Sequence, residues 1–587
     1  MSIEMAVRVE QRAVEWLAAN VAFFDPQNAE RRLELLARKS LIELALLVGL
    51  RVRTDPRPLS DAYRELLDGV ERVYRRASYR DLAARDPRAL LLYAATHAAM
   101  RLCGREDAAF HHVLGQQAAG RYAIHFERIP YRHLDLVHTL ELCGIEAPPL
   151  ARSEAVLPLS LLAADPSIVQ LSDSDLYAIT HTAFYATDFG RQPRRGGTTL
   201  PLGRTLDLLE GLLTVTRGRR NCDLVGELVA ACACFGHVTS PELERSWCLL
   251  AATQRDDGHV PGPPGVLPPD VDDLPPDVRV WATCYHTTIV AALAGLLARS
   301  ARPSGRDLSA RIARSAADVP AADLTEALSR ACRRLAAGGT LHDRVAVLHA
   351  EQRAPCGLLS RQDVAALFAE LETLWDGAFD VPAVRGDELL VLDEAARSWQ
   401  IESSGLRGLR ERLAQEVARL PPDERPAPLA LIAAGIPPTW QPSAATRLEP
   451  ADFLVETVAR SAQRLATLVD LAGLPVADDP AWQQVVETYA EAATAACREY
   501  RLLETAALLR GLCALGQAHH RVARDLAEYL LRQQTHEGWF GHPGIDDEVE
   551  RERQQRGWTR AVVVALAELG AAWQEAANRP AALRRPA

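Results

Sequence analysis

The run Gln254-Arg-Asp-Asp-Gly258, followed by a Pro/Asp-rich loop and then Tyr285-His-Thr-Thr-Ile-Val-Ala-Ala-Leu293, decides the fold of this chain. A second turn of the same form, Gln534-Thr-His-Glu-Gly538, stands at a constant offset of 280 residues. Each turn ends one apolar helical stretch and leads through a loop into another, over 287–296 and 561–569. A period this much longer than a helical hairpin, carrying the same turn at the same place, predicts two related halves.

The segments around these turns have helical period. Ala13, Trp16, Leu17 and Val21 recur at i, i+3, i+4 and i+8, and Leu33, Leu36, Ala37, Leu41 and Leu44 repeat that spacing. Strand-like alternation is scarce. Ser172-Asp-Ser-Asp175 reads as a capping-box start for a helix over 176–189 that Gly190 ends, and Gly236 and Gly516 close two more. The predicted class is all-α, arranged as an α/α toroid or a solenoid of helical repeats. Residues 1–299 form one half and 324–587 the other. The Arg/Ala/Ser/Pro-rich 300–323 serves as linker, and a Pro-rich break at 420–450 interrupts the second half. The loop 261–276 is long for a helix–helix connection, a length that often goes with function.

Composition narrows the function classes. A chain of 587 residues exceeds one core, and 48% hydrophobic content supports large buried ones. The net charge of −11 argues against general nucleic-acid or anionic-membrane binding. Every apolar run is punctuated by Arg, Asp, Glu or His, so no membrane span is expected. No signal peptide opens the chain, and the eleven cysteines contain no CxxC pair, which predicts a reduced cytoplasm. Lys39 is the single lysine among abundant Arg, Ala, Leu and Pro, a usage that points to a GC-rich, actinobacterial genome.

Several constellations can carry chemistry. On the stretch 176–189, Tyr177, His181, Tyr185 and Asp188 fall at i, i+4, i+8 and i+11, one face over three turns. Polar groups aligned on an apolar helix are costly to bury unpaired, so they face solvent or a common partner. His181 can shuttle protons or bind metal, with Asp188 orienting it or sharing the ligand set. Asp223 and Glu227 lie one turn apart in a markedly apolar helix, which suits acid–base or metal chemistry, or an arginine-paired helix start. Tyr285 and His286 open the helix after the Pro-rich loop. Asp270, Asp272 and Asp273 make an Asp-x-Asp-Asp run in that loop, where crowding can hold one proton in place. A solvated acidic loop is the plainer account of that run. The histidines at 111, 112, 125, 133 and 138 lack metal-ligand spacing and read as structural.

The segment Gln534-Thr-His-Glu-Gly-Trp539 resembles the Gln-x-x-x-Gly-x-Trp repeats of the terpenoid-cyclase and protein-prenyltransferase superfamily, and Tyr285-His286-Thr287 resembles the prenyltransferase segment that supplies a zinc-binding histidine. Two short segments carry this resemblance. It implies a toroid with His286 in a central cavity, and in the cyclases an Asp-x-Asp-Asp acid. Here the Asp270–Asp273 run sits about a dozen residues ahead of the helix start. Aromatic content of 6% is modest for a cavity that stabilises carbocations. Residues 1–300 also resemble an uncharacterised actinobacterial domain family through Trp16-Leu17, Arg128-Ile-Pro-Tyr-Arg132, His181 with Thr187-Asp-Phe-Gly190, and Tyr285-His-Thr-Thr288.

Two functional readings follow. One is an enzyme of actinobacterial specialised metabolism with acid–base or metal-assisted chemistry in the first half, isoprenoid cyclisation being what the resemblance implies. Its catalytic set is His181, Asp188, Asp223, His286, Asp270, Asp272 and Asp273, with Tyr177, Tyr185, Glu227 and Tyr285 against a small apolar or peptide substrate. A divalent metal would sit on His181, Asp188 and His286. The other reading is a non-catalytic helical scaffold for a peptide or protein.

Overall fold

The computed structural model describes residues 2–120, 126–147, 150–192, 199–263, 273–301, 321–338, 340–355, 357–375, 386–404, 406–408, 448–454, 457–471, 476 and 479–578. Asp270, Asp272, and most of the linker, the Pro-rich break and the loop 261–276 lie outside them. The described chain is all-α, without a named strand. It divides into two compact units. One comprises Met1–Ser167 with Leu171–Ser315, and the other Ile168–Gln170 with Ala316–Ala587.

The first unit contains α1 (Ser2–Ala19), α2 (Glu34–Thr54), α3 (Asp61–Tyr74), α4 (Ala77–Arg85), α5 (Leu90–Leu102), α6 (Ala108–Ala119), α7 (Pro130–Cys143), α8 (Asp173–Ala186), α9 (Leu202–Gly218), α10 (Cys222–Cys234), α11 (Pro241–Thr253) and α12 (Pro276–Ser300). Helix α2 packs on α5, α5 on α7, α7 on α8, α8 on α10, α10 on α12, and α12 back on α2, so six helices close a cycle. Helices α1, α3, α6, α9 and α11 pack outside it, α1 against α12 and α9 and α11 against α10.

Local sequence sets these elements. Ser172 and Asp175 form a reciprocal capping box at the start of α8. The helix ends at Ala186 rather than running to 189, because Asp188, Phe189 and Gly190 all take positive φ and turn the chain. Asn221 caps α10 by accepting from the Leu224 N–H at 3.2 Å, and Pro276 opens α12 at a position where a missing N–H costs nothing. Gly236, at φ 75°, follows α10 as its spacing predicts. Helix α10 is buried along its whole length, including Asp223 and Glu227. Each buried leucine in it contributes about 1.5–3 kcal/mol of transfer free energy, and that packing holds the two carboxylates in place. Helix α12 alone among the described helices is long and apolar enough to cross a membrane, with 83% of its apolar window buried. Its apolarity follows from packing between α1, α2 and α10.

The second unit contains α13 (Ala321–Gly338), α14 (Leu341–Arg353), α15 (Arg361–Trp375), α16 (Gly386–Ser398), α17 (Val458–Ala466), α18 (Trp482–Arg498), α19 (Leu502–Ala514), α20 (Arg521–Arg532) and α21 (Glu548–Asn578). Helix α21 packs on α13, α14 and α19, repeating how α12 packs on α1, α2 and α10. The two glutamine turns are built alike. The Gln254 side-chain amide donates to the Val9 carbonyl at 3.1 Å and the Gly258 carbonyl at 2.8 Å. That of Gln534 donates to Ala327 at 2.8 Å and Gly538 at 3.3 Å. Gly258 and Gly538 have φ of 105° and 97°, a region closed to most side chains. Each glutamine ties its turn to the first helix of its own unit, which explains why the residue recurs at that point.

Candidate functional site

The site lies where α8, α10, α12, α2 and α7 of the cycle meet. Asp223 and Glu227, one turn apart on α10, are 1% and 5% exposed at their side chains, and a histidine faces each. His286 Nε2 is 3.5 Å from Asp223 Oδ1, and His181 Nε2 is 3.6 Å from Glu227 Oε1. The two imidazoles come from helices about a hundred residues apart in sequence, and they converge on the carboxylate pair.

Each group is further held. His286 Nδ1 is 2.9 Å from Glu43 Oε2 of α2, and Lys39 Nζ lies 3.5 Å from Glu43 Oε1. Tyr177 Oη donates to Asp223 Oδ2 in a short contact, and Thr287 Oγ1 donates to Asp223 Oδ1 at 3.3 Å. Thr180 Oγ1 donates to Glu227 Oε2 at 2.7 Å. Near His181, Asp135 of α7 accepts from Tyr185 and pairs with Arg132 at 3.7 Å. The His181 ring stands among Tyr131, Phe184, Tyr185 and Tyr177 at centroid distances of 5.7, 5.8, 6.1 and 6.4 Å. Its Nδ1 is buried and has no hydrogen-bond partner among the described residues.

The electrostatics follow from this packing. Burial opposes the charge on His286, but the carboxylates of Glu43 and Asp223 outweigh it and raise its pKa to about 10. Burial likewise opposes charge on His181, and Glu227, with help from Asp135, lifts its pKa above the usual value. Burial works against ionisation of Glu43 and Glu227, yet the neighbouring His286 and His181 hold both below the ordinary carboxylate range. Asp223 and Asp135 go the other way: desolvation prevails over the cations beside them, and both are raised. The Tyr177 and Tyr185 hydroxyls are pushed up by burial and by the carboxylates they bond. Pairs of titratable groups driven in opposite directions are what proton-transfer chemistry requires.

Among the expected residues, Tyr177, His181, Tyr185, Asp223, Glu227 and His286 are brought together, and three depart from expectation. Asp188 does not orient His181. It is 3% exposed, takes a bidentate contact from Arg53, one arm at 2.8 Å, and accepts from His138 Nε2 at 2.9 Å. It sits past the end of α8, in the left-handed turn at φ 52°, so the i+11 spacing from Tyr177 no longer keeps it on the helix face. Tyr285 is 2% exposed and stacks on Trp281 at 5.4 Å, edge-on to Phe24. Neighbouring helical residues point about 100° apart, so this ring joins an aromatic core while His286 faces the carboxylates. Asp273 is exposed.

A metal does not fit His181, Asp188 and His286. Both His286 nitrogens face carboxylates, Asp188 is taken by Arg53 and His138, and no group of three or more potential ligands is arranged for an ion among the described residues.

Glu43, Asp135 and Tyr131 were not singled out by sequence, while His138, read there as structural, holds Asp188. Glu43 and Asp135 each interrupt a run of leucine and isoleucine, Leu41-Ile-Glu43-Leu44 and Leu134-Asp135-Leu136, and a lone carboxylate in such a run is the signal that marks them. The counterpart positions in the second unit carry no carboxylate pair. The 280-residue offset that aligns the glutamine turns and Gly236 with Gly516 sets Leu503 against Asp223 and Ala507 against Glu227. The Val260 N–H donates to Thr288 and the Phe540 N–H to Thr559, which makes Gly557 the counterpart of His286.

None of the curated proteins compared matches the chain. Residues 10–296, which hold every residue of the cluster from Glu43 to His286, match the model of a family described as a domain of unknown function (DUF6895).

Proposed function

We propose that the first half is an α/α toroid of terpenoid-cyclase and prenyltransferase type, working as an acid–base enzyme on a small, largely apolar substrate in actinobacterial specialised metabolism. The observation that carries this reading is His181. One ring nitrogen faces the buried Glu227, while the other, also buried, has no partner among the described residues and sits in a box of four aromatic rings. Leaving a buried donor unmatched costs about 1–3 kcal/mol, a cost that a substrate atom at Nδ1 removes. The closed cycle of six helices supports the toroid reading.

In this scheme His181 holds a proton at Nδ1 and delivers it to the substrate, with Glu227 stabilising the imidazolium from behind. His286, at about 10, stays charged at neutral pH and acts as a fixed cation beside Asp223. An imidazolium above its usual pKa is a weak acid. It protonates an oxygen far more readily than an unactivated alkene. Among isoprenoid reactions the site therefore suits opening of an epoxide, or proton transfer at a carbonyl or hydroxyl. The aromatic faces around His181 would shield the positive charge that develops on carbon.

The test is turnover of linear isoprenoid epoxides and their parent alkenes by the full chain, with His181→Gln and Glu227→Gln alongside. The proposal expects product from the epoxides and its loss in both variants, with circular dichroism unchanged. Undiminished turnover in His181→Gln, or no turnover of any substrate by the unsubstituted protein, refutes it. The scaffold reading suits the second unit, where Leu503 replaces a buried aspartate and is 51% exposed.

A further inference from the structure

We propose that Cys284, His259 and Asp257 form a nucleophilic centre that accepts small acyl groups from esters or thioesters. It is separate from the His181/His286 cluster. Cys284 and His286 are two residues apart on α12, about 200° around the helix, so the thiol faces the turn after Gln254 rather than the carboxylates.

The turn is pinned against α12. The Val260 N–H donates to Thr288 Oγ1 at 3.0 Å, and Gly262 comes so near the Thr283 carbonyl that a Cβ there would lie 2.3 Å from its oxygen. This approach puts His259 and the Gly262 N–H in hydrogen-bonding contact with the Cys284 thiol, with Thr283 Oγ1 3.4 Å from the sulfur. His259 Nδ1 is 2.7 Å from Asp257 Oδ1, which leaves the other ring nitrogen for the thiol, and Trp16 packs against the imidazole at 5.6 Å. Nucleophile, base and orienting acid are thus in sequence.

Burial alone pushes a thiol up, as it does for Cys143, Cys222, Cys232 and Cys234. Cys284 is also buried, yet His259, Thr283 and Gly262 overcome desolvation and draw it down, while its thiol in turn raises His259. At 6% exposure Cys284 admits only a small group. The Asp257 side chain is 55% exposed, so the base end of the triad faces solvent.

In the first step the sulfur adds to the acyl carbon and the bond to the leaving oxygen or sulfur breaks. The departing group takes the electron pair and the proton from the His259 imidazolium. Water then adds to the thioester, His259 takes its proton, and the carbon–sulfur bond breaks to return the thiolate and a carboxylic acid.

The full chain would be mixed with p-nitrophenyl acetate at pH 7, following nitrophenolate release and mapping acetylated peptides by mass. The proposal expects acetylation at Cys284 about tenfold or more faster than at the exposed Cys248. His259→Gln should slow the Cys284 reaction about tenfold or more, and Asp257→Asn, at a position whose side chain is 55% exposed, should slow it by a smaller factor with circular dichroism unchanged. Acetylation of Cys248 ahead of Cys284, or an unchanged Cys284 rate in both variants, overturns the proposal.

Discussion

Replacing Asp188 by asparagine separates a structural from a catalytic role for the residue that sequence spacing aligned with His181. Asparagine keeps the size of the side chain and tolerates the left-handed conformation at φ 52°, so the backbone contributes little to the change. What is lost is charge. Asp188 is 3% exposed and receives two guanidinium N–H groups from Arg53 and one contact from His138. Breaking a buried pair by removing one partner costs about 3–5 kcal/mol. The Arg53 side chain is 19% exposed and recovers some hydration, which favours the lower end, about 3 kcal/mol. Burial alone would raise Asp188, but His138 and Arg53 hold it below the usual value. With a depressed folded-state pKa, its contribution is complete above about pH 4 and is lost as the pH falls through the depressed value. Denaturant unfolding at pH 7 should therefore show a deficit of about 3 kcal/mol for Asp188→Asn. A deficit below about 0.5 kcal/mol, the scale of a neutral surface change, would refute the clamp.

Three further outcomes follow. Glu43→Gln removes a carboxylate 2.9 Å from His286, so the His286 pKa should fall from about 10 by about 1–2 units, read by histidine NMR. Because that pKa is raised on folding, the stabilisation is whole below about 6.5 and fades as the pH climbs to about 10, and the variant should show a shallower slope in thermal midpoint against pH, with Asp223 keeping part of it. Gly258→Ala puts a Cβ 2.1 Å from the Arg12 carbonyl at φ 105° and should destabilise the first unit by about 2 kcal/mol or more in denaturant titration, whereas Gly104→Ala, with nothing within 4 Å, should cost about 1 kcal/mol. His97 is fully buried, and desolvation, with His111 beside it, lowers its pKa to about 4. Its folded value lies below its unfolded one, so the first unit should weaken as the pH falls from about 6.5 through 4, with a shallower fall in His97→Gln by thermal melting.

The all-α class was legible because apolar spacing near 3.6 residues leaves a periodic mark, and the repeated glutamine turn was legible as a motif whose hydrogen bonds recur at both copies. The convergence of His181 with Asp223 and Glu227 was legible in part, since polar residues on apolar helices must find partners. Which partners they find was not. That Glu227 rather than Asp188 backs His181 depends on α8 ending at Ala186 and on α10 packing against it, and neither is local to the spacing. Tyr285 and His286 are adjacent in sequence yet face different surroundings, which helical rotation explains once the axis of α12 is known. Glu43 lies 243 residues from His286. No local rule joins them; the closed cycle of helices does.

The most direct measurement is the titration of His181 and His286 by nitrogen NMR on histidine-labelled protein, with and without the substitutions Asp223→Asn and Glu227→Gln made together. If the two rings converge on that carboxylate pair, both titrate above the usual histidine value in the unsubstituted chain, His286 near 10, and both fall in the double variant, His286 by the smaller step because Glu43 still faces it. Titration of both rings near 6.5 before any substitution, or no movement on neutralising the pair, would contradict the account.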